Sequence, residues 1–357
     1  STISWYMARM FLLRSLAVLL ALALVLQTLD LLGESGNVLA YKGNGSAQLW
    51  TYLSLRLPEI IAFLLPFSIL LGTIITLATL NQNSEVIAMK AAGVSAHQIL
   101  APLVFASIGI AGLSFWFNDR IVTRANATLT AWQDADYGPV AKSSDLKSNI
   151  WVRFGDDLIR AGTVSGRLAN TKLSNVSLYD REGGRLRIII TAPRATQASG
   201  GGWMLHNARL FDVQSGKVST QPEVLVGVGI TPDRFTLSDV SADQLSFGAL
   251  REAIHDLKEA GRPTDSLESG LWHKISGPLS AILMPLLAGV AAFGIARSGK
   301  LFLRAVIGMA LGFLYFVADN FALAMGNLGA YPPLLAAWAP FVLFLFIGEM
   351  VLIRTEE

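Results

Sequence analysis

Six stretches of this sequence are almost unbroken runs of apolar residues, and each is long enough to cross a membrane as a helix. A span needs roughly 20 such residues, because the hydrocarbon core is about 30 Å thick and a helix rises about 1.5 Å per residue. The six predicted spans are Met10–Leu32, Leu55–Leu80, Ile99–Phe117, Leu271–Ala296, Leu301–Met325 and Leu334–Ile353. They form two sets of three, so the pattern predicts an α-helical membrane protein interrupted by a long insertion.

The first apolar run, Met10–Leu32, has some features of a secretory signal peptide. It is longer than the roughly 7–15 apolar residues of such a signal, and no A-x-A-like cleavage site follows it. We therefore interpret this run as a retained first span.

The insertion between the two sets, from about Asn118 to Gly270, has the pattern of β structure. Apolar and polar residues alternate in IWVRFG (150–155), and further strand candidates are NVSLYD, GRLRIIITA and GWMLHNARLFDV. The segments DREGG, ASGGG and VQSGK between them have the composition of turns. Regular short strands with such turns predict a sandwich or barrel-like all-β domain.

A short helix is predicted after the strands, in SFGALREAIHDLKEAGRPTD, because Leu250, Ile254 and Leu257 recur at helical spacing. Gly261 and Pro263 then act as stop signals. The predicted domains are residues 1–118 with the first three spans, 119–270 with the β domain and its short helix, and 271–357 with the last three spans.

The polar linker between the second and third spans, NQNSEVIAMKAAGVSAHQIL (81–100), is longer than a membrane hairpin needs. Ser84 is a predicted N-cap, and Glu85 in the first turn and Lys90 in the last turn suit the helix dipole. Gly93 is a natural residue to end the helix, and Ser95 can cap the next one. The pattern predicts a short helix over about 85–92, which either rests on lipid headgroups or docks into the groove of a cytoplasmic partner.

The composition agrees with a membrane protein and excludes other classes. Hydrophobic residues make up 52% of the chain and charged residues only 15%, against about 25% charged residues in soluble domains. Cysteine is absent, which excludes disulfide and thiol chemistry. A net charge of +2 gives no basis for nucleic-acid binding.

Lysine and arginine placement predicts the orientation, because short cytoplasmic loops are enriched in both residues. With a cytoplasmic N-terminus, the short outside loops hold little more than Lys42 and Arg56. The cytoplasmic ends then hold Arg9, Arg14, Lys90, Arg297, Lys300, Arg304 and Arg354. Both termini and the linker are therefore expected inside, and the β domain is expected outside.

The linker also carries a family resemblance. Its sequence LNQNSEVIAMKAAGVSAHQI, with the core SE-x-x-x-M-x-A-x-G, resembles the coupling segment of the lipopolysaccharide export permeases, the LptF/LptG (YjgP/YjgQ) family. The order of three spans, a β domain and three spans is also that family's plan, and it covers essentially the whole chain. The segments LWHKISGPLSAILMPLLA and LYFVADNFALAMGNLGAYPPLLAAWAPFVLF look like the G subunit of that family rather than its F partner.

This resemblance implies a permease subunit of an ABC transporter in the inner membrane of Gram-negative bacteria. In that family, LptF-type and LptG-type subunits pair around a cavity that takes up lipopolysaccharide, and periplasmic β-jellyroll domains pass it to a bridge towards the outer membrane. A dimer of a separate LptB-type ATPase binds on the cytoplasmic side, and a single-span LptC-type protein inserts beside the first span of G. ATP and Mg²⁺ are then bound by the ATPase, and no cofactor is expected on this chain.

The resemblance also assigns the linker helix to the groove of the ATPase. In that assignment Glu85 makes a polar contact at the docking site. The implied docking residues are Ser84, Glu85, Val86, Met89, Lys90 and Gly93.

The outer end of the first span departs from the family's pattern. G subunits often carry lysines there that suit the phosphates of the lipid, whereas this chain has LQTLDLLGESGN. The cavity candidates Gln27, Asp30 and Glu34 include no cation. Either cations elsewhere, such as Arg56 or Lys42, contact the phosphates, or the transported glycolipid carries a different headgroup charge.

An apolar wall for the acyl chains is expected in the second and fifth spans. The candidates are Phe63, Leu64, Phe67, Leu70, Leu71, Phe313, Phe316 and Phe321. The alternative is that these side chains face ordinary lipid or pack against neighbouring helices.

Ionisable residues within the spans are unfavourable, by roughly 2.5–3.5 kcal/mol each at the membrane centre. Asp319 interrupts the fifth span, and it either lines the lipid cavity or is satisfied by a neighbouring helix, which is the interpretation we prefer. Arg56 and Glu59 are neighbours on one helix face and can pair. Glu349, late in the sixth span, is interpreted as an interfacial residue.

Enzymatic motifs are weak in this sequence. GIARSGKL (294–301) resembles a P-loop, but Leu301 stands where a serine or threonine would bind Mg²⁺, and the segment joins two spans instead of a strand and a helix. The four histidines show no paired metal-ligand spacing, and no nucleophile-elbow motif is present. An exporter without its own nucleotide site must use a separate ATPase.

Two other functions are open at this point. A lipoprotein-release permease places its outside domain after one span and not after three, which argues against that class. A membrane enzyme acting on glycolipid needs an acid–base pair at the outer interface, and His273 with an outside aspartate is the candidate.

Overall fold

The computed structural model describes most of the chain. The described residues are 2–139, 147–165, 171–182, 184–198, 201–232, 235, 241–259, 262–293 and 301–356. Most of the P-loop-like segment, with Arg297 and Lys300, lies outside them, as does Gly261. Two compact units are present: a membrane unit of Ser1–Pro139, Ser241–Arg251 and Thr264–Glu357, and a β unit of Val140–Val240 and Glu252–Pro263.

Long helices make up most of the membrane unit. The helices of the described chain are α1 (Thr2–Ala40), α2 (Ser46–Gln82), α3 (Glu85–Ala91), α4 (Ala96–Phe117), α5 (Thr123–Asp134), α6 (Phe247–Glu259), α7 (Asp265–Phe293), α8 (Leu301–Asn327) and α9 (Pro333–Glu356). Six helical segments are long and apolar enough to span a membrane, which confirms the predicted arrangement of three spans on each side of an insertion.

The third span is longer as a helix than as an apolar run. The run ends at Phe117, but a π-helical turn, Asn118–Val122, continues it into α5. The sequence TRANATLTAWQD of α5 is polar enough to leave hydrocarbon while it keeps helical hydrogen bonds. Leu129 of α5 packs beside Val38 and Tyr52, so this extension is held against α1 and α2.

Helix α7 is the centre of the membrane unit. Its most apolar window is 67% buried, compared with 22% for α1 and 28% for the span in α8. α7 packs against α2, α4, α8 and α9, and one continuous apolar core joins these helices. The helices α1 and α8 therefore leave large apolar surfaces exposed on the single chain.

Helix α1 lies against α2 through a close backbone approach. A Cβ added at Gly72 would lie 2.8 Å from the Cα of Ser15, so a larger residue there would push the two helices apart. Nη1 of Arg14 donates to the carbonyl oxygen of Ile75 at 2.9 Å. Small residues permit such close contacts between membrane helices, where packing and hydrogen bonds drive association.

The β unit holds one antiparallel sheet in its described residues. Its strands are β1 (Lys147–Phe154), β2 (Asp157–Ser165), β3 (Lys172–Glu182), β4 (Arg185–Gln197), β5 (Trp203–Asp212) and β6 (Val218–Val226). Each strand pairs with the next, which gives a meander and confirms the inserted antiparallel β domain. The sequence pattern missed β2, which is interrupted by small residues, and β6, which contains Pro222 and is mostly exposed.

One face of the sheet forms the core of the β unit. Its fully buried residues on β1 to β5 are at most 7% exposed, and the partly buried Phe154, Ile188 and Leu210 pack against them, so this face is largely filled by the unit's own side chains. Trp203 is 1% exposed, and its Nε1 donates to the carbonyl oxygen of Ile230 at 3.1 Å. The rings of Trp203 and Phe235 meet edge to face, with centroids 5.1 Å apart. In α6, Leu250 and Leu257 are buried, as their spacing predicted.

We predict that Trp203→Ala destabilises the β unit by about 3–5 kcal/mol, because it removes a fully buried aromatic side chain. Trp151→Ala is the matched control, since Trp151 lies in the same sheet and is 49% exposed. Pulse proteolysis of the full chain in detergent, across a urea series, measures both effects. Equal shifts of the two unfolding midpoints would contradict the role of Trp203 in the core.

Candidate functional site

The linker between the second and third spans folds as α3, and its C-terminal end is fixed by backbone hydrogen bonds. Gly93 has a φ of +82°, which glycine adopts freely, and its N–H donates to the carbonyl oxygen of Lys90 at 3.0 Å. The N–H of Val94 donates to the carbonyl oxygen of Met89 at 3.0 Å, which completes a Schellman motif. The predicted helix end at Gly93 is confirmed.

The start of α3 differs from the prediction for Ser84. Ser84 has a left-handed backbone, with φ 61°, and its hydroxyl accepts no capping hydrogen bond. A capping side chain needs an extended backbone to reach the first turn, so Ser84 marks a sharp turn and is not a side-chain cap. Ser95 does cap α4: its Oγ accepts from the N–H of Gln98 at 3.2 Å, and Oε1 of Gln98 accepts from the N–H of Ser95 at 3.0 Å.

Helix α3 has one face against its own chain and one face outward. Val86 is 7% exposed in the core of the membrane unit, and Met89 packs against the same core. Ile87 is 62% exposed, and Ala88 and Ala91 are exposed beside it. Val86 and Met89 therefore anchor α3, Val86 as a buried residue and Met89 as a partly exposed one. We call Ile87, Ala88 and Ala91 the outer face of α3.

Contacts at the ends of the linker join it to the last spans. Nζ of Lys90 lies 5.0 Å from the ring centroid of Phe293 at the end of α7, an attractive cation–aromatic contact. Nε2 of His97 in α4 lies 3.2 Å from Oε2 of Glu349 in α9, so Glu349 has a protein partner. The first contact joins α3 to α7, and the second joins α4 to α9.

Three of the aromatic candidates of the second and fifth spans lie together. Phe63 and Phe67 on α2 and Phe316 on α8 form a cluster, with ring centroids 5.1 to 6.0 Å apart. Phe63 is 49% exposed, and Phe313 and Phe321 on α8 are 60% and 57% exposed. We call Phe63, Phe67 and Phe316 the aromatic wall; no ring contact joins Phe313 or Phe321 to it among the described residues.

Leu70 is not part of the aromatic wall, although the sequence suggested it. It is 2% exposed, and a Cβ at Gly312 would overlap its Cδ2. The missing side chain at Gly312 makes the space that Leu70 fills between α2 and α8. Leu64 is also buried and packs with Ala23 of α1.

Polar candidates form a network at the ends of α1 and α2 that lie farther from α3. Asp30 accepts from Oη of Tyr52 at 2.6 Å and from Nε of Arg56 at 3.1 Å. Arg56 also donates to Glu59, which confirms the predicted pair. Two carboxylates thus neutralise Arg56, so its charge is already paired before any phosphate binds.

Glu34 belongs to a neighbouring group of contacts that holds α1 to the segment after α5. Glu34 accepts from Oη of Tyr137 and, at 3.0 Å, from Nδ2 of Asn37. Burial and the bond to Glu34 raise the pKa of Tyr137 to about 12, so this phenol stays protonated as the donor at neutral pH. Nδ2 of Asn44 donates to the carbonyl oxygen of Tyr137 at 3.0 Å.

The remaining polar candidates lie between helices. Oδ2 of Asp319 in α8 lies 2.9 Å from Nε2 of His273 in α7, so a neighbouring helix supplies its partner. His273 therefore meets an aspartate of a span, and not the outside aspartate considered for an enzyme. Gln27 is 8% exposed, and neither atom of its amide has a hydrogen-bond partner among the described residues.

Several residues that hold these sites gave no clear sequence signal. Tyr52 and Tyr137 join α1 to its neighbours, but a single tyrosine has no diagnostic spacing. His97 and Glu349 are 252 residues apart, so only the fold reveals their contact. Within the described ranges, no three or more histidines, aspartates or glutamates group in a way that could hold a metal ion.

Known proteins resemble this chain over nearly its whole length. The family model described as lipopolysaccharide export system permease LptF/LptG matches residues 5–354. The lipopolysaccharide export system permease protein LptG of Escherichia coli strain K12 is 25% identical over 346 residues, which cover 95% of this chain and 94% of that protein. LptG of Haemophilus influenzae is 24% identical over 326 residues, which cover 88% and 89%. This chain therefore belongs to the LptF/LptG family of lipopolysaccharide export system permeases and is LptG-like.

Proposed function

We propose that this chain is the G-type permease subunit of an ABC transporter that extracts lipopolysaccharide from the inner membrane. The family match over residues 5–354, with relatives that are named LptG, carries the proposal. The six spans, the inserted β domain and the helix α3 are the parts that such a subunit needs. The chain itself is not an enzyme in this role, because an LptB-type ATPase dimer binds ATP and Mg²⁺ and supplies the energy.

Helix α3 is the proposed docking site for that ATPase. Its outer face is exposed, and the two alanines allow a partner surface to approach closely. Glu85 is half-buried in the first turn, at the edge of this face, where its carboxylate can make a polar contact with the partner. Val86 and Met89 hold α3 to the core, so a force on the outer face reaches the spans.

The least buried helices are the proposed contacts with other membrane proteins. α1 and α8 expose most of their apolar windows, and exposed apolar surface of this kind faces either lipid or another subunit. We place an LptF-type permease along α1 and α8, so that the two subunits enclose the lipid cavity. An LptC-type single-span protein would lie beside α1.

The aromatic wall is proposed to face the acyl chains of lipopolysaccharide within that cavity. The network of Asp30, Arg56 and Glu59 lies towards one end of the same helices, where a headgroup would be. Because Arg56 is already paired, most phosphate contacts would come from the partner subunit, or the glycolipid would carry a less anionic headgroup. Gln27, Glu34 and Asp319 are the further polar candidates on this path.

The proposed location is the inner membrane of a Gram-negative bacterium. Arg14 and Arg354 lie at the ends of spans on the side of α3, which favours cytoplasmic termini. The β domain would then be periplasmic and join the bridge towards the outer membrane. The filled inner face of its sheet favours a role in assembly over one in enclosing acyl chains.

The alternative functions have less support. In this chain the β domain follows three spans, unlike the order of a lipoprotein-release permease. An enzyme that modifies glycolipid would need a free acid–base pair, whereas His273 is bound to Asp319 between two spans.

We predict that Glu85→Gln weakens ATPase binding by about 1.5–3 kcal/mol, or roughly ten- to a hundredfold, because it removes a charge-assisted hydrogen bond. Ala91→Trp should abolish binding, since its bulky ring blocks the outer face of α3. Both are measured as the amount of ATPase that co-purifies with the affinity-tagged chain.

The matched control for Ala91→Trp is Ala47→Trp, which places the same ring on an exposed alanine at the far end of α2. It should leave ATPase recovery unchanged. Normal ATPase recovery with both α3 variants would refute the docking site, while the export function could still hold.

We predict that a photo-crosslinking residue at Phe63 captures lipopolysaccharide in native membranes, because the wall faces the transported lipid. Ile108 is the control, since it is 48% exposed against 49% for Phe63 and lies on α4, which contributes no residue to the aromatic wall. Immunoblotting for lipid adducts should give a signal several times stronger at Phe63. Equal adducts at both positions would mean that Phe63 faces bulk lipid.

A further inference from the structure

The interface of α7, α8 and α9 contains buried hydroxyl groups whose hydrogen-bonding capacity is unused. Ser269, Ser276 and Tyr315 are at most 4% exposed. None of their side-chain oxygens has a hydrogen-bond partner among the residues that the structure describes. Buried polar groups are nearly always hydrogen-bonded to protein or water, so three such groups in one interface indicate a bound polar ligand.

These hydroxyls lie along one stripe, with an ionisable pair at its middle. Ser269, His273 and Ser276 are about one turn apart and share a face of α7. On α8, Tyr315 lies one turn from Asp319, which contacts His273 at 2.9 Å. An ionisable pair within a span is unfavourable unless it is solvated or further hydrogen-bonded. The His273–Asp319 pair therefore also favours a polar ligand at this site.

Three helices cover the buried hydroxyls of the stripe. A Cβ added at Gly326 of α8 would lie 2.6 Å from Oγ of Ser269 and 2.5 Å from Cβ of Ala336 in α9. About three turns earlier in α8, the rings of Tyr315 and Phe344 of α9 meet edge to face, with centroids 5.4 Å apart. The three hydroxyls are therefore buried, whereas the side chain of His273 is 30% exposed, so the stripe reaches the protein surface at His273. It lies towards the ends of the spans that are farther from α3.

We propose that this stripe binds a short chain of internal water molecules, and we call it the α7–α8 water site. Water is small, neutral and able to donate and accept, which suits serine and tyrosine hydroxyls placed beside an imidazole and a carboxylate. The hydration stabilises the His273–Asp319 pair in the membrane. It also allows α8 to shift slightly against α7. Hydrogen bonds to exchangeable water re-form after such a shift, whereas tightly fitted apolar packing would be lost.

The natural absence of cysteine from this chain allows a direct test. Ser276→Cys replaces one oxygen by sulfur in the serine of the site that lies farthest along the span from its outer end. Methanethiosulfonate ethylammonium reacts with the ionised thiolate, which forms readily only where water reaches the sulfur. In the full chain in detergent, we expect Ser276→Cys to react at least about tenfold faster than Ser68→Cys.

Two serines provide matched controls for this comparison. Ser68 on α2 is 1% exposed, as is Ser276, but its hydroxyl donates to the carbonyl oxygen of Leu65 at 2.7 Å. Ser280 lies one turn further along α7 and donates to the carbonyl oxygen of Gly277 at 2.6 Å. Ser280→Cys should be as slow as Ser68→Cys, which separates a local water site from a generally loose helix.

A rate for Ser276→Cys equal to that for Ser68→Cys overturns the proposal, and so does equally fast labelling of Ser276→Cys and Ser280→Cys. If Ser276→Cys does not purify as a folded protein, Ser269→Cys takes its place under the same criteria. Neither export nor ATPase binding is measured, so the result is independent of the proposed function.

Discussion

The pairing of the ionisable groups Asp30, Arg56, His273 and Asp319 inside the membrane unit is the constraint on which the helix arrangement depends. Hydrocarbon offers no water to a buried charge, so such a group must find its partner within the protein. Asp30 meets Tyr52 and Arg56 across α1 and α2, and Asp319 meets His273 across α8 and α7. Groups that would be unfavourable alone thus become the contacts that fix neighbouring spans.

Apolar packing then divides the spans into a central and a peripheral set. α7 is enclosed by four helices, while α1 and α8 keep most of their apolar surface outside the chain. The aromatic wall lies on α2 and α8, next to this exposed surface. On the other side of the membrane unit, α3 is anchored by Val86 and Met89 and offers its outer face. This distribution supports the proposed role as one subunit of a permease with a separate ATPase.

The parts that the sequence predicted are those controlled by local chemistry. Long apolar runs located the six spans, and Gly93 marked the end of α3 because only glycine reaches its backbone conformation without strain. An evenly apolar run does not show which side of the helix faces the protein core. Leu70 and Phe63 were therefore equal candidates, although one is buried and the other exposed.

Long-range contacts were likewise beyond the sequence pattern. The pair of His97 and Glu349 depends on helices from both halves of the chain. Strand β6 was missed because its residues are exposed and include a proline, so neither alternation nor β-propensity identifies it. The family resemblance of the linker supplied what physical reasoning could not, namely the expectation of an exporter whose motor is a separate protein.

The central claim is that this chain is one of two permease subunits and that ATP hydrolysis by a separate ATPase drives transport. Native mass spectrometry of the affinity-tagged chain, purified from its own membranes in mild detergent, tests this most directly. The account predicts an intact complex of one copy of this chain, one different six-span subunit and two copies of an ATPase. A monomer or a homodimer without an ATPase, obtained under conditions that preserve other membrane complexes, would contradict it.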